Sequence, residues 1–406
     1  MSRAASLFAD RNYRAWFIGM WCGDFGSQIQ GVAIAWHIFV ITHSPFDLGL
    51  VGLMGFLPSF LFVLISGFVA DHFDRRLITI AGRSCELVCA LGFLGLISAG
   101  IHNVWAYLAV VFLLGTARAL GGPAQRAILP NIVGTERFMQ AQATFATARQ
   151  FSVIGGPALG GALIAISSFA AFATAAAVAS IAVLSFLILR VAKNVRSPES
   201  RTWSSVLAGF SFIRSQPVIL GAISLDLFAV LFGGAVALLP IYADVILRIG
   251  PVGLGFLRSA PAVGAALVAG VIARNSIRHG VGPKLFIAVT GFGVMTIVFG
   301  LSTTLWLSLL ALIARGAFDI VSVVIRASLV QVNTPDAMRG RVSAVESAFI
   351  TTSNELGGFE AGTVAALIGT VPSVVFGGVA TLIVAALWAF AFPALRHADR
   401  IAQEPV

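Results

Sequence analysis

Long apolar runs broken by short polar turns dominate the chain. Leu48–Ala70, Gln150–Leu189 and Ala361–Leu395 carry no charged side chain at all. A helix that crosses the hydrocarbon of a bilayer needs about 20 apolar residues. The first run therefore holds one crossing, and the other two hold most of a pair each. Along the whole chain the pattern predicts spans near residues 15–41, 47–70, 77–99, 104–122, 138–167, 170–190, 216–246, 252–273, 284–301, 305–327, 340–368 and 372–394. Three of the breaks, Thr42–Phe46, Gly100–Asn103 and Gly369–Val371, contain neither Lys nor Arg.

Charge then orients the spans. Arg75, Arg76, Arg126, Arg137, Arg274, Arg278, Lys284, Arg339 and Arg341 fall in the other set of loops, and Arg190–Arg214 is a basic connector with Glu199 as its one acid. Arg248, after span 7, is the exception on the outer side. Loops rich in Lys and Arg stay in the cytoplasm, so both termini are expected there, in an inner membrane. The early charges Arg3, Asp10, Arg11 and Arg14 precede a run too long for a cleavable leader, so span 1 is expected to direct insertion. Only 11% of the 406 residues are charged, against roughly 25% in a soluble domain. The net charge of +9 is spread between spans. It reads as a topology signal and an attraction to membrane lipid, not as a nucleic-acid footprint.

The pattern also repeats. Asp24 and Gly31 recur as Asp226 and Gly233, 202 residues on, and Gly155–Gly156 recur as Gly357–Gly358. Gly67 and Gly270 close spans 2 and 8, while Pro130 and Arg137 match Pro335 and Arg341 before spans 5 and 11. The expected fold is an all-α polytopic membrane protein of about twelve transmembrane helices in two pseudo-symmetric six-helix bundles. These cover residues 1–190 and 216–406, with 191–215 as a cytoplasmic connector. Such halves commonly enclose a transport site at mid-membrane.

Candidate chemistry is sparse. The histidines His37, His43, His72, His102, His279 and His397 are scattered, and Cys22, Cys85 and Cys89 lack further ligands nearby, so neither a metal, a cofactor nor an enzyme is expected. No phosphate-cradling loop is present either, so ATP is not expected as the direct energy source unless a separate subunit supplies it. What stands out is charge inside the spans: Asp24, Glu86, Arg118, Arg149, Asp226, Arg315, Asp319, Glu355 and Glu360. Each costs roughly 2.5–3.5 kcal/mol on insertion scales, so such groups pair, face the bundle interior or serve function. Arg315 and Asp319 are spaced to pair on one helix face, and Glu86 lies close to Arg83.

Two further stretches allow two readings each. In Gly67–Arg76, Asp71 can accept from the first amides of the next helix, and Arg75 and Arg76 can bind phosphate or a carboxylate. The same stretch also fits a solvated charge run that only sets topology. In Gly156-Pro157-Ala158-Leu159-Gly160-Gly161, proline kinks the helix and the small residues allow close approach. That combination also fits plain packing.

Gly67-x3-Asp71-x3-Arg75-Arg76 resembles the loop 2–3 signature of the major facilitator superfamily, with Asp74 in place of a usual glycine. That departure, Gln30-x5-Trp36-x5-Thr42-x-Ser44, Arg118…Pro123…Pro130 and Arg339-Gly340-Arg341 are similar to the branch of enterobactin exporters and macrolide efflux proteins. The resemblance spans nearly the whole chain. It implies a gate at Gly67, Asp71, Arg75, Arg76 and Arg126, and an antiporter-like helix 5 at Gly156, Pro157, Gly160 and Gly161. Arg118 resembles the family's helix 4 arginine, and Gly270–Lys284, the matching loop of the second half, is degenerate and has no acid. The expected activity is proton-coupled export of a small amphipathic molecule, siderophore- or drug-like, by a monomer. Asp24, Arg118, Asp226 and Glu355 are the coupling or cavity candidates. Import and lipid or lysolipid translocation are the alternatives, while a membrane enzyme or a non-transporting scaffold fits less well.

Overall fold

The computed structural model describes residues 7–62, 65, 69, 72–190 and 203–400, with the backbone alone at Arg126, Thr135 and residues 203–206. Gly67, Asp71 and most of the connector, 191–202, lie outside the described residues. Among those residues the chain is helical, without strands: α1 (Arg11–Thr42), α2 (Pro45–Leu61), α3 (Arg75–Ser98), α4 (Val104–Ala127), α5 (Pro130–Ile166), α6 (Ser168–Ile188), α7 (Pro217–Phe232), α8 (Gly250–Arg274), α9 (Val281–Leu301), α10 (Leu305–Val332), α11 (Asp336–Ile368) and α12 (Thr370–Ala391). A helix over Trp203–Ser215 leads into α7. Nine of the described helices are long and apolar enough to cross a membrane. Large apolar side chains such as Trp105, Phe151, Trp306 and Phe390 are exposed, as a lipid-facing surface requires.

Helix ends follow from local chemistry. Asp10 caps α1 by accepting from the amides of Asn12 and Tyr13 at 2.7 and 3.4 Å. Asn103 caps α4 through Trp105 N–H, and Ser167 caps α6 through Ala170 N–H, each at 3.0 Å. Each satisfies an amide that the first turn leaves without a partner. α1 ends at His43 in the left-handed region (φ 50°), inside the turn expected from the sequence. α5 starts at Pro130, earlier than the apolar pattern predicts, and Gly134 (φ 68°) kinks it before the membrane run. α7 breaks at Gly233 and continues as tighter and wider turns, Gly234–Leu238 and Tyr242–Ile246.

Two compact units emerge. The first holds Met1–His43, Met54–Arg201 and Gly250–Ser259; the second holds Ser44–Leu53, Thr202–Ile249 and Ala260–Val406. α2 and α8 thus divide their lengths between the units. The core of the first includes Tyr13, Trp16, Phe145 and Phe186. That of the second includes Leu225, Val281, Leu285 and Leu329.

Candidate functional site

In the first unit, three helices bring their charges together around Asp24 of α1. Arg83 of α3 places Nη2 3.7 Å from Asp24 Oδ1, and Arg149 of α5 places Nε 3.6 Å from Oδ2. Arg83 also donates to Glu86 Oε2 at 2.8 Å, one turn along its own helix. Arg83 is buried and Arg149 is 67% exposed. The Arg83 guanidinium lies against the bare Gly23 of α1, beside Asp24, where a side chain would displace it. The Trp21 indole N–H, bonded to the Ala148 carbonyl at 3.0 Å, fixes α1 against α5 next to Arg149. The two Asp24 contacts are ion pairs longer than a direct hydrogen bond. Glu86, not Asp24, holds Arg83 tightly.

The second unit has its own cluster. Asp226 of α7 pairs with Arg326 of α10 at 3.3 Å, and Arg326 donates to Glu346 of α11 at 2.6 Å. The Ser322 hydroxyl lies 3.5 Å from Asp226 Oδ1. Asp319, Ser322 and Arg326 recur at helical spacing on one face of α10. Arg326 is almost fully buried, and its Nε finds no partner among the described residues. The repeat-related acids Asp24 and Asp226 therefore both sit on buried arginines, but the arginines come from non-equivalent helices, α3 and α10.

The other expected residues divide. Arg118 is exposed on α4 and makes no ion pair among the described residues; Asp24 is met by Arg83 and Arg149 instead. Arg315 does not bridge Asp319. Its Nη2 donates to the Gly233 carbonyl at 2.7 Å, its Nε to Thr296 at 3.3 Å, and its guanidinium stands 4.2 Å over Phe292. That carbonyl, at the break of α7, also accepts from Ala235 N–H at 2.8 Å. Glu355 is half-buried on α11, beside Gly52 of α2. The N-cap of α3 is Asp74, accepting from Arg76 N–H at 2.8 Å. Arg75 donates to the Ala127 carbonyl at the end of α4 (3.3 Å), and Arg76 to the Phe186 and Leu187 carbonyls at the end of α6 (3.4 and 2.7 Å). These arginines close helix C-termini, where a cation is favoured. Nothing is described of the Arg126 side chain.

In α5, Gly156 and Gly160 lie against Gln28 and Ile29 of α1, and Gly161 lies against Pro251 and Gly255 of α8. Gly255 in turn faces the Pro157 carbonyl. The small residues of the motif thus set two close approaches on neighbouring faces of one proline-containing helix.

Charged pairs buried between apolar spans, in a chain of about twelve helices, fit a membrane transporter, and the family match places the chain in the major facilitator superfamily. The chain belongs to the family described as transmembrane secretion effectors, whose pattern it matches over residues 2–406. It is 29% identical over 393 residues, 95% of this chain and 92% of the relative, to the enterobactin exporter EntS of Escherichia coli strain K12. Its fold is similar to the nucleoside transporter NupG (TM-score 0.71, 14% identity, 94% of this chain and 98% of that one). It is equally similar to a bacterial homologue of the iron transporter ferroportin (TM-score 0.71, 15% identity, 96% and 99%).

Proposed function

We propose that the protein is a proton-driven exporter of a small amphipathic molecule, siderophore- or drug-like. It works in the inner membrane with both termini in the cytoplasm, and residues 1–190 and 216–406 are its two moving halves. The observation that carries this reading is the Asp24 cluster: a carboxylate held at 3.6–3.7 Å by two arginines from two other helices. A proton taken up by that carboxylate cancels both ion pairs at once and loosens α1 from α3 and α5 at that level. Proton uptake would then be coupled to helix movement. Likeness to an enterobactin exporter along nearly the whole chain supports the outward direction. The 32 phenylalanines suit an apolar substrate cavity.

The test is efflux of a compound panel, enterobactin included, from cells with and without the protein. A protonophore should stop protein-dependent loss of one compound class. Loss that continues at the same rate with the protonophore present would reject proton coupling, and accumulation instead of loss would reject export.

The loop 2–3 gate makes a second claim on the same assay. Asp71 is proposed to hold the cytoplasmic side closed through a charge-assisted bond, which Asn matches in size but not in charge. Asp71→Asn should slow efflux at least about tenfold, the equivalent of roughly 1.5 kcal/mol for one such bond, at normal expression. Undiminished efflux would reduce the stretch to a topology signal.

A further inference from the structure

The loop between α8 and α9 is the repeat counterpart of loop 2–3, yet residues 275–284 contain no acid. α3 is capped from within its own loop by Asp74. α9 has only Gly280 at its N-cap, with no side chain to offer (φ 63°). Its first amides must therefore find acceptors elsewhere.

They find them in the segment that follows α12. Asp399 Oδ1 accepts from Gly280 N–H at 2.9 Å, and Oδ2 lies 3.2 Å from His279 Nδ1. The backbone carbonyl of Asp399 accepts from Val281 N–H at 3.3 Å, and that of Ala398 from Gly282 N–H at 2.8 Å. Three consecutive amides of the α9 start are thus satisfied by two residues of the tail. Gly282 is bare because the Leu395 carbonyl lies against it. Leu395 itself is fully buried in the core that contains Leu285 and Val281. On the outer side of the turn, Lys284 Nζ donates to the His279 carbonyl at 2.8 Å.

We propose that Asp399 stands in for the acid that this loop lacks: the segment after α12 is a clasp that ties the start of α9 to the end of α12. Asp399 is then a positioning residue for the second half of the transporter. It makes α9 and α12 move as one piece. The clasp itself rests on geometry, and only its effect on transport rests on the exporter reading.

The Gly280 amide, followed by His279, holds the Asp399 carboxyl below its usual range, with a smaller contribution from Arg400. The His279 imidazole and the Arg400 guanidinium are the groups that face it. A lowered carboxylate contributes stability above its ordinary pKa and loses it as pH falls through the lowered value. The Asp399 carboxylate is therefore ionised, and available as an acceptor, throughout the neutral range.

Hydrogen–deuterium exchange on the full-length protein in lipid nanodiscs tests the clasp, with enterobactin efflux from cells as the functional arm. Asp399→Ala should speed exchange of the 279–284 peptide about tenfold, the loss of one charge-assisted hydrogen bond, with α5 peptides unchanged. Asp399→Asn keeps an acceptor for Gly280 and should fall between. In efflux, Asp399→Ala should lower the maximal rate roughly fivefold at the same half-saturation, with Asn restoring most of it. Wild-type exchange at 279–284 in Asp399→Ala would overturn the clasp. Faster exchange with unaltered efflux would overturn the positioning role. If the wild-type protein moves no enterobactin, the exporter reading fails for that probe, and the exchange arm still decides the clasp.

Discussion

Asp24→Asn should abolish export against a gradient while leaving substrate exchange across the membrane nearly intact. Asparagine keeps the shape of the side chain but has no proton to exchange and no charge to hold two arginines. In the wild-type protein those arginines are 3.7 and 3.6 Å from the carboxylate. Their fates after the substitution differ. Arg83 keeps Glu86 at 2.8 Å, so the buried guanidinium stays neutralised. Arg149 is 67% exposed and turns to water, where a lost surface pair costs about 0–1 kcal/mol. The variant should therefore fold and reach the membrane. Uphill efflux should fall at least about a hundredfold, which corresponds to roughly 2.7 kcal/mol at the coupled step. Counterflow in proteoliposomes, which needs binding and reorientation but no proton gradient, should remain within about twofold of wild type. Uphill pumping at the wild-type rate would make Asp24 a structural residue and move the coupling acid elsewhere.

Asp24, Glu86 and Asp226 are legible in the chain because a carboxylate in an apolar run is expensive and therefore conspicuous. Asp24 and Asp226 also occupy matching places in the repeat. Of their arginines, Arg149 stands out in the sequence as a charge inside a span, whereas Arg326 and Arg83 are less visible. Arg326 falls at the predicted end of span 10, where an arginine ordinarily reads as a topology signal that snorkels to the interface. α10 in fact runs on to Val332, which puts Arg326 inside the helix and out of water. Glu346 sits just inside the predicted start of span 11 and was masked by the same reasoning. Arg83 shows in the sequence only as a neighbour of Glu86, because a contact across helices leaves no mark on spacing along one of them. Helix boundaries were readable where a cap such as Asn103 or Ser167 stands at the end of an apolar run. They were not readable at Pro130, where α5 begins in a polar stretch before the kink at Gly134. Arg75 and Arg76 show how one residue type can serve different ends: the charges expected to bind phosphate or a carboxylate are used on helix-terminal carbonyls. Asp399 and His279 are 120 residues apart, beyond the reach of any local pattern.

Arg326→Met should be the most destabilising of the substitutions considered. Arg326 is 3% exposed and neutralises two carboxylates, Asp226 at 3.3 Å and Glu346 at 2.6 Å. Methionine fills much of the space but leaves both acids without a counter-charge in a site that excludes water. Breaking a buried pair by removing one partner costs about 3–5 kcal/mol, which corresponds to a fall in Tm of roughly 10 °C for a unit of this size. Arg149→Ala, at the exposed rim of the first cluster, should lower Tm by only a few degrees or less. A second variant separates charge from shape. Asp226→Asn and Glu346→Gln added to Arg326→Met remove the uncompensated acids and should recover most of the lost stability, because neutral replacement of a buried ionic group is often tolerated. Thermal unfolding in one detergent, with the four proteins side by side, measures this. A wild-type Tm in Arg326→Met would mean that the acids are already neutral or hydrated in the folded protein. A triple variant no more stable than Arg326→Met would mean that Arg326 supports α7, α10 and α11 through its packing and not through its charge. A triple variant that regains its Tm and still fails to export would assign the cluster to the transport cycle.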